Sequence, residues 1–151
     1  MRNVYFRTMT TGDIPRVAHL EQVVFTDPWS EKVYRETLVL DGVEYIVACD
    51  DEAEETIIGA AGVRNIVGVG EITNVMLLPE YRGQGTGRRM LTELMDRGRR
   101  LGAKDFTLEV RQSNERAIKL YEKLGFVCEG VRKDFYRNPT ENALIMWLYT
   151  Q

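Results

Sequence analysis

A layered α/β domain, with one mixed β-sheet of about seven strands covered by helices, is what this sequence predicts. Three observations predict it. The chain has 151 residues, enough for a single domain, 1–151, built around one core. Short apolar segments alternate with amphipathic stretches of helical period. In mid-chain, an apolar segment (72–78), a glycine run (Gly83-Gln84-Gly85-Thr86-Gly87) and an amphipathic stretch (88–101) follow in the order strand, tight turn, helix.

The elements read as follows. Residues 4–9 form a first strand. Asp13-Ile14-Pro15 opens a helix, because proline is tolerated in a first turn. Ile14, Val17, Ala18, Val24 and Phe25 fall on one face of it, and Asp27-Pro28 ends it. Ser30 caps a second helix that runs to about residue 40. Residues 44–49 and 56–64 are strands joined across the acidic turn 50–55, and 70–78 is a third strand of this group. The helix that follows buries Leu91, Leu94 and Met95 and stops at Gly102. Residues 104–111 are a strand. Residues 114–124 are a helix with Ala117, Leu120, Tyr121 and Leu124 on its apolar stripe, ended by Gly125. Residues 126–132 and 142–149 complete the sheet.

Composition sets limits on function. Hydrophobic residues make up 44% and charged residues 28%, as in a folded soluble protein. A net charge of −3 gives no electrostatic reason to expect nucleic acid as a partner. No apolar run reaches the ~18 residues of a membrane span, and the first residues lack the apolar stretch of a secretory signal, so no membrane association and a cytoplasmic location are expected. Cys49 and Cys128 are read as free, small apolar residues. His19 is the sole histidine and there is no Cys-x-x-Cys, so no metal is expected. Arg97, Arg99 and Arg100 read as a solvated helix end.

The glycine run carries the chemistry. Glycine lets backbone N–H groups approach a ligand closely, and a helix N-terminus adds unpaired N–H groups and a positive dipole end. Arg82 and Arg88 add charge, and the whole is a cradle for phosphate. It is not a P-loop, since Gly87 is followed by Arg88-Arg89. Gly-x-Gly-x-Gly in mid-chain also fits a dinucleotide fingerprint poorly. An ordinary strand-to-helix turn stays open from this run alone.

Further motifs extend the pattern. Arg82-x-x-Gly85-x-Gly87 is entered from Pro79-Glu80-Tyr81. Downstream lie Leu108-Glu109-Val110-Arg111, Ser113-Asn114, Leu120-Tyr121 and Leu124-Gly125-Phe126. Together these resemble the two cofactor motifs of the GNAT-superfamily N-acetyltransferases. With Pro28-Trp29-Ser30, Ile72-Thr73-Asn74-Val75 and Arg132-Lys133-Asp134-Phe135-Tyr136, the chain resembles the ribosomal-protein-alanine N-acetyltransferases, the RimI type, over about 4–148. It departs from that pattern mainly at 64–69, where an aromatic-rich strand end is commoner.

The resemblance implies a GNAT-type sheet whose strands 70–78 and 104–111 run parallel and splay apart around the pantetheine arm of acetyl-CoA. It implies that Val75, Met76 and Leu77 present backbone groups to that arm. Gly83, Gln84, Gly85, Thr86, Gly87 and Arg88 would hold the pyrophosphate with Arg82, and Asn114 would add a side-chain contact. By residue pattern Asn114 is equally a helix N-cap. The resemblance makes Glu109 the base. By alternation alone Glu109 is a solvated strand residue paired with a cation, and Glu71 is the rival carboxylate. Tyr121 is the candidate acid at the departing thiol, or a packed ring whose hydroxyl finds a partner. Trp29 and Tyr136 are the candidate acceptor contacts. Trp29 also reads as a hydrophobic staple, and Tyr136 and Phe135 as residues closing the sheet. His19 has no catalytic role. The implied acceptor is the N-terminal α-amine of a protein, an alanine on a small-subunit ribosomal protein. A lysine, a polyamine or an antibiotic amine is the alternative acceptor, and a non-catalytic acyl-CoA-binding module the alternative function. Oligomeric state is not legible.

Overall fold

A computed structural model describes residues 3–150 of the chain. The elements are β1 (Val4–Thr8), α1 (Ile14–Val24), α2 (Glu31–Leu38), β2 (Val43–Asp50), β3 (Thr56–Ile66), β4 (Val69–Leu77), α3 (Thr86–Arg100), β5 (Asp105–Arg111), α4 (Glu115–Lys123), β6 (Val127–Tyr136) and β7 (Glu141–Leu148). They form one seven-stranded sheet in the order β1-β2-β3-β4-β5-β7-β6. Neighbours are antiparallel except β4 and β5, which run parallel.

Local chemistry explains where the helices start. A short 3-10 turn, Thr11–Asp13, leads into α1, and the Asp13 carboxylate takes the Thr10 N–H at 2.8 Å. Arg7 grips the same carboxylate with two hydrogen bonds, 2.8 and 2.9 Å. That holds Asp13 below the usual carboxylate range. Ser30 caps α2 by accepting the Val33 N–H at 3.3 Å.

Strand alternation divides the core into two layers. On β2, Ile46 and Ala48 face one side with Ile58, Val63, Leu91, Leu94 and Phe106. Tyr45, Val47 and Cys49 face the other, with Ile14, Val17, Leu20 and Tyr34 of α1 and α2. Each fully buried Leu, Ile or Phe here contributes roughly 1.5–3 kcal/mol of transfer free energy. On β5, Phe106, Leu108 and Val110 point into the first layer. Thr107, Glu109 and Arg111 alternate with them and point to the other side of the sheet. The second layer draws no residue from β5, β6 or β7, which leaves that half of the sheet face open.

Several expectations need correction. α3 starts at Thr86 inside the glycine run, not after it, with Gly85 as its N-cap. β6 does not stop at residue 132 but continues to Tyr136, because β7 offers a partner edge whose register shifts between Arg132 and Tyr136. The connection expected from 133 is therefore only 137–140. Arg97 is not a solvated helix end. Its side chain bonds Glu44 at 2.7 Å and Glu93 at 2.8 Å, tying α3 to β2. Both cysteines are free, but only Cys49 is buried; Cys128 is exposed on the edge strand β6.

Candidate active site

The site is built where β4 and β5 part. Their parallel ladder holds only at Val69↔Asp105, Gly70↔Phe106 and Glu71↔Thr107. Beyond Glu71, β4 has no strand partner on that side, so residues 72–77 present a free backbone edge. On its other side β4 carries a bulge. Ala60 pairs with Met76 and Gly62 with Thr73, so Asn74 and Val75 together oppose Ala61. Asn74 takes the left-handed conformation, φ 56°, which asparagine tolerates better than most residues. Met76 and Leu77 bury their side chains, so they can meet a ligand only through backbone.

The glycine run ends the free edge. Gly83 (φ 77°) and Gly85 (φ 82°) lie in the left-handed region. A Cβ added at either would meet no protein atom within 4 Å, so the space in front of the loop is open. No side chain caps α3, which leaves its first N–H groups free for an anion. Arg82 spends its Nε on the Leu77 carbonyl at 2.9 Å, fixing the end of β4. Burial and then the nearby Arg116 charge lower its pKa. Arg116 is thus a second cation at this end of the cleft, placed there by α4. Free edge, uncapped helix end and paired cations fit a long phosphorylated thioester such as acetyl-CoA. Asn114 acts as the α4 N-cap, accepting the Ala117 N–H at 3.3 Å.

On the open half of the sheet lies a cavity of about 240 Å³ lined by Ile66, Val69, Glu71, Thr107, Glu109, Arg132, Ile145 and Trp147. A larger depression of about 370 Å³ lies on the outer side of α3, and neither Glu109 nor Tyr121 lines it. The two candidate carboxylates, Glu71 and Glu109, therefore share one cavity. Glu109 is paired with the cation expected of a strand carboxylate: Arg132 Nε lies 3.0 Å from Glu109 Oε2. Tyr121 is buried against Phe126, with ring centres 5.8 Å apart. Its hydroxyl has no hydrogen-bond partner among the described residues. Burial, and after it Tyr136, push its pKa up. Burial and the Glu109 charge push Tyr136 to about 12. Tyr136 thus lies close enough to feel the Glu109 charge, and Tyr121 close enough to feel Tyr136.

Trp29 lies half-buried over Tyr34 (5.3 Å between centres) and Tyr45 (6.4 Å), so its ring packs as a staple beside the cleft. His19 is on the surface of α1. No cluster of metal-ligating side chains occurs among the described residues. No helix there is long and apolar enough to cross a membrane.

One group escaped the sequence reading. Glu21 is 1% exposed. Its carboxylate accepts the Trp29 N–H at 3.0 Å, the Tyr34 hydroxyl at 2.5 Å and the Asn74 amide at 2.7 Å. Tyr45 donates to the Asn74 carbonyl oxygen at 3.1 Å. The β4 bulge and the turn before α2 are thereby tied to one buried carboxyl group. The only sequence signal was a carboxylate beside Leu20 on the apolar stripe of α1.

The sequence model of the acetyltransferase (GNAT) family matches residues 14–126. The chain belongs to this family. GNAT relatives match it nearly end to end. The ribosomal protein bS18-alanine N-acetyltransferase of Escherichia coli K12 is 35% identical over 147 residues, 93% of this chain and 94% of that protein. The N-alpha-acetyltransferase RimI of Mycobacterium tuberculosis H37Rv is 33% identical over 144 residues, 91% of this chain and 87% of that protein. The crystal structure of the E. coli ribosomal-protein-S18-alanine N-acetyltransferase superposes with a TM-score of 0.87 at 29% identity, covering 99% of this chain and 95% of that one. The GNAT fold and its acetyltransferase chemistry are thus shared with this chain.

Proposed function

We propose that this chain transfers the acetyl group of acetyl-CoA to the α-amine of an N-terminal alanine on a small-subunit ribosomal protein, by direct attack with both substrates bound. The near full-length identity to relatives named for that reaction carries the reading. The cavity holding Glu109 supports it, since it lies over the β4–β5 ladder and reaches Glu71↔Thr107, the last rung before the β4 edge becomes free.

Acetyl-CoA supplies the activated thioester. The uncapped α3 N-terminus, Gly83 to Arg88, Arg82 and Arg116 neutralise its phosphates. The free β4 edge from Val75 to Leu77 orients its arm and offers an N–H to the thioester oxygen. Glu109 takes a proton from the incoming ammonium. Tyr121, kept protonated by burial, donates a hydrogen bond to the departing sulfur. Its raised pKa places it well above a thiol of ~8.5, so stabilisation by hydrogen bond replaces full proton transfer. Trp29 and Tyr136 flank the acceptor. An α-amine titrates near ~7.7–8.0 and a lysine near ~10.4, a difference of about 3 kcal/mol in deprotonation at neutral pH. An exposed carboxylate base suits the former.

The test is acetyl-CoA turnover on peptides with different N-termini, an N-blocked lysine peptide and spermidine, with products located by mass spectrometry. Peptides beginning with alanine should turn over at least tenfold faster than the lysine peptide or spermidine. Label mainly on lysine or polyamine overturns the acceptor and leaves the family intact.

A further inference from the structure

Two connections meet at the end of β5, two residues beyond Glu109: residues 25–29 between α1 and α2, and residues 137–140 between β6 and β7. One side chain joins both of them to the strand that carries Glu109. Arg111 ends β5 two residues after Glu109 and on the same side of the sheet. Its Nη1 donates to the Pro139 carbonyl at 3.0 Å and to the Glu141 carboxylate at 3.1 Å. Its Nη2 donates to the Arg137 carbonyl at 2.8 Å and to the Thr26 hydroxyl at 3.2 Å. The guanidinium carbon also lies 4.6 Å from the centre of the Tyr136 ring. The other Glu141 oxygen accepts the Ser113 N–H at 2.6 Å, which keeps that carboxylate charged and facing Arg111. A second bond, Asn138 to Asp27 at 2.9 Å, joins the two connections directly.

We propose that Arg111 is a positioning residue for acceptor binding: it holds Tyr136 and the Thr26 turn together at the end of β5, beside Glu109. It thereby sets affinity for the acceptor and not for acetyl-CoA. The assignment of Trp29 and Tyr136 to the acceptor rests on the function proposed above. The chemistry demands arginine. A flat fork carries four donors to acceptors on two separate segments and stacks on a ring at the same time. Lysine has the charge but neither the plane nor the reach. β5 itself does not depend on this fork. It is held by six rungs to β7, Phe106↔Leu148 through Arg111↔Ala143, and by Phe106, Leu108 and Val110 in the core. The elements expected to hold acetyl-CoA, the β4 edge and the start of α3, make no hydrogen bond to Arg111.

The experiment compares Arg111→Lys with wild type in the full chain. It uses steady-state kinetics on the best acceptor from the panel above, calorimetry with acetyl-CoA, and amide hydrogen exchange by mass spectrometry. KM for the acceptor should rise roughly 10- to 100-fold. The kcat should stay within about threefold and acetyl-CoA affinity within about twofold, the limits of an effect confined to acceptor binding. Exchange should quicken in 25–29 and 137–140 and stay unchanged in β4 and α3. If the lysine variant does not fold, Thr26→Val removes one arm and should give a smaller rise in the same KM. An unchanged acceptor KM overturns the proposal. So does an equal loss of acetyl-CoA affinity with faster exchange throughout β5 and β7. Should wild type acetylate no peptide, the α-amine reading fails. Arg111 is then judged by exchange and by KM for whichever amine is turned over.

Discussion

Glu109 meets the cleft already engaged by Arg132, at 3.0 Å and with a side chain 33% exposed. An ion pair this exposed is worth little to stability, and an incoming ammonium can take the place of the guanidinium. Glu109→Gln should lower turnover by ~100- to 10,000-fold, the usual cost of losing a general base. Acetyl-CoA affinity, measured by calorimetry, should be nearly unchanged. The deficit should shrink as pH rises, because the neutral amine then forms without a base. Tyr121 imposes no alkaline limit near its ordinary ~10, since burial raises its folded pKa and the protonated form persists through that range. Glu71 shares the cavity and is the control. If Glu71→Gln gives this pH-dependent loss and Glu109→Gln does not, Glu71 is the base.

α3 begins within the glycine run, and that start shapes the anion site. Replacing Gly85 by valine forces a β-branched residue to φ 82°, a strain of ~1–3 kcal/mol. No neighbouring atom is struck, so the fold should survive while the side chain intrudes on the phosphate side of the loop. Acetyl-CoA should bind at least about tenfold more weakly by calorimetry, a modest penalty if one loop contact costs ~1.4 kcal/mol. Unchanged affinity in a folded variant would falsify the loop assignment. Local signals such as the glycine run, Pro15 in a first turn and the Ser30 cap are legible in sequence because their partners lie within a few residues. The sequence places the start of α3 two residues late because Thr86 and Gly87 have weak helix propensity, and only the loop geometry recruits them. The end of β6 was missed because an exposed edge strand shows no alternation of burial. Glu21 and Asn74 lie 53 positions apart, so nothing local announces their bond. Arg97 likewise finds Glu44 on a distant strand, so in sequence it looks like part of a solvated helix end.

At the scale of the molecule, the sheet is two sheets joined by a short seam. Strands β1 to β4 form one antiparallel unit and β5, β7 and β6 another, with three rungs of parallel ladder between them. Helix α3 and the first core layer brace the seam from one side only. With only three rungs, the seam should open at less cost than the ladders within either unit. A ligand lying along the parted strands touches both units and acts as a rivet. At 100 times its dissociation constant it adds about 2.7 kcal/mol against any opening that releases it. Amide exchange at 69–71 and 105–107 should slow markedly with acetyl-CoA, while exchange along β2 and β3 should change little. Equal slowing throughout the sheet would mean that the two units open only together. If acetyl-CoA binds as proposed, the gap that admits it is also the line along which the fold should be weakest, and the enzyme should be mechanically most complete only while it is loaded.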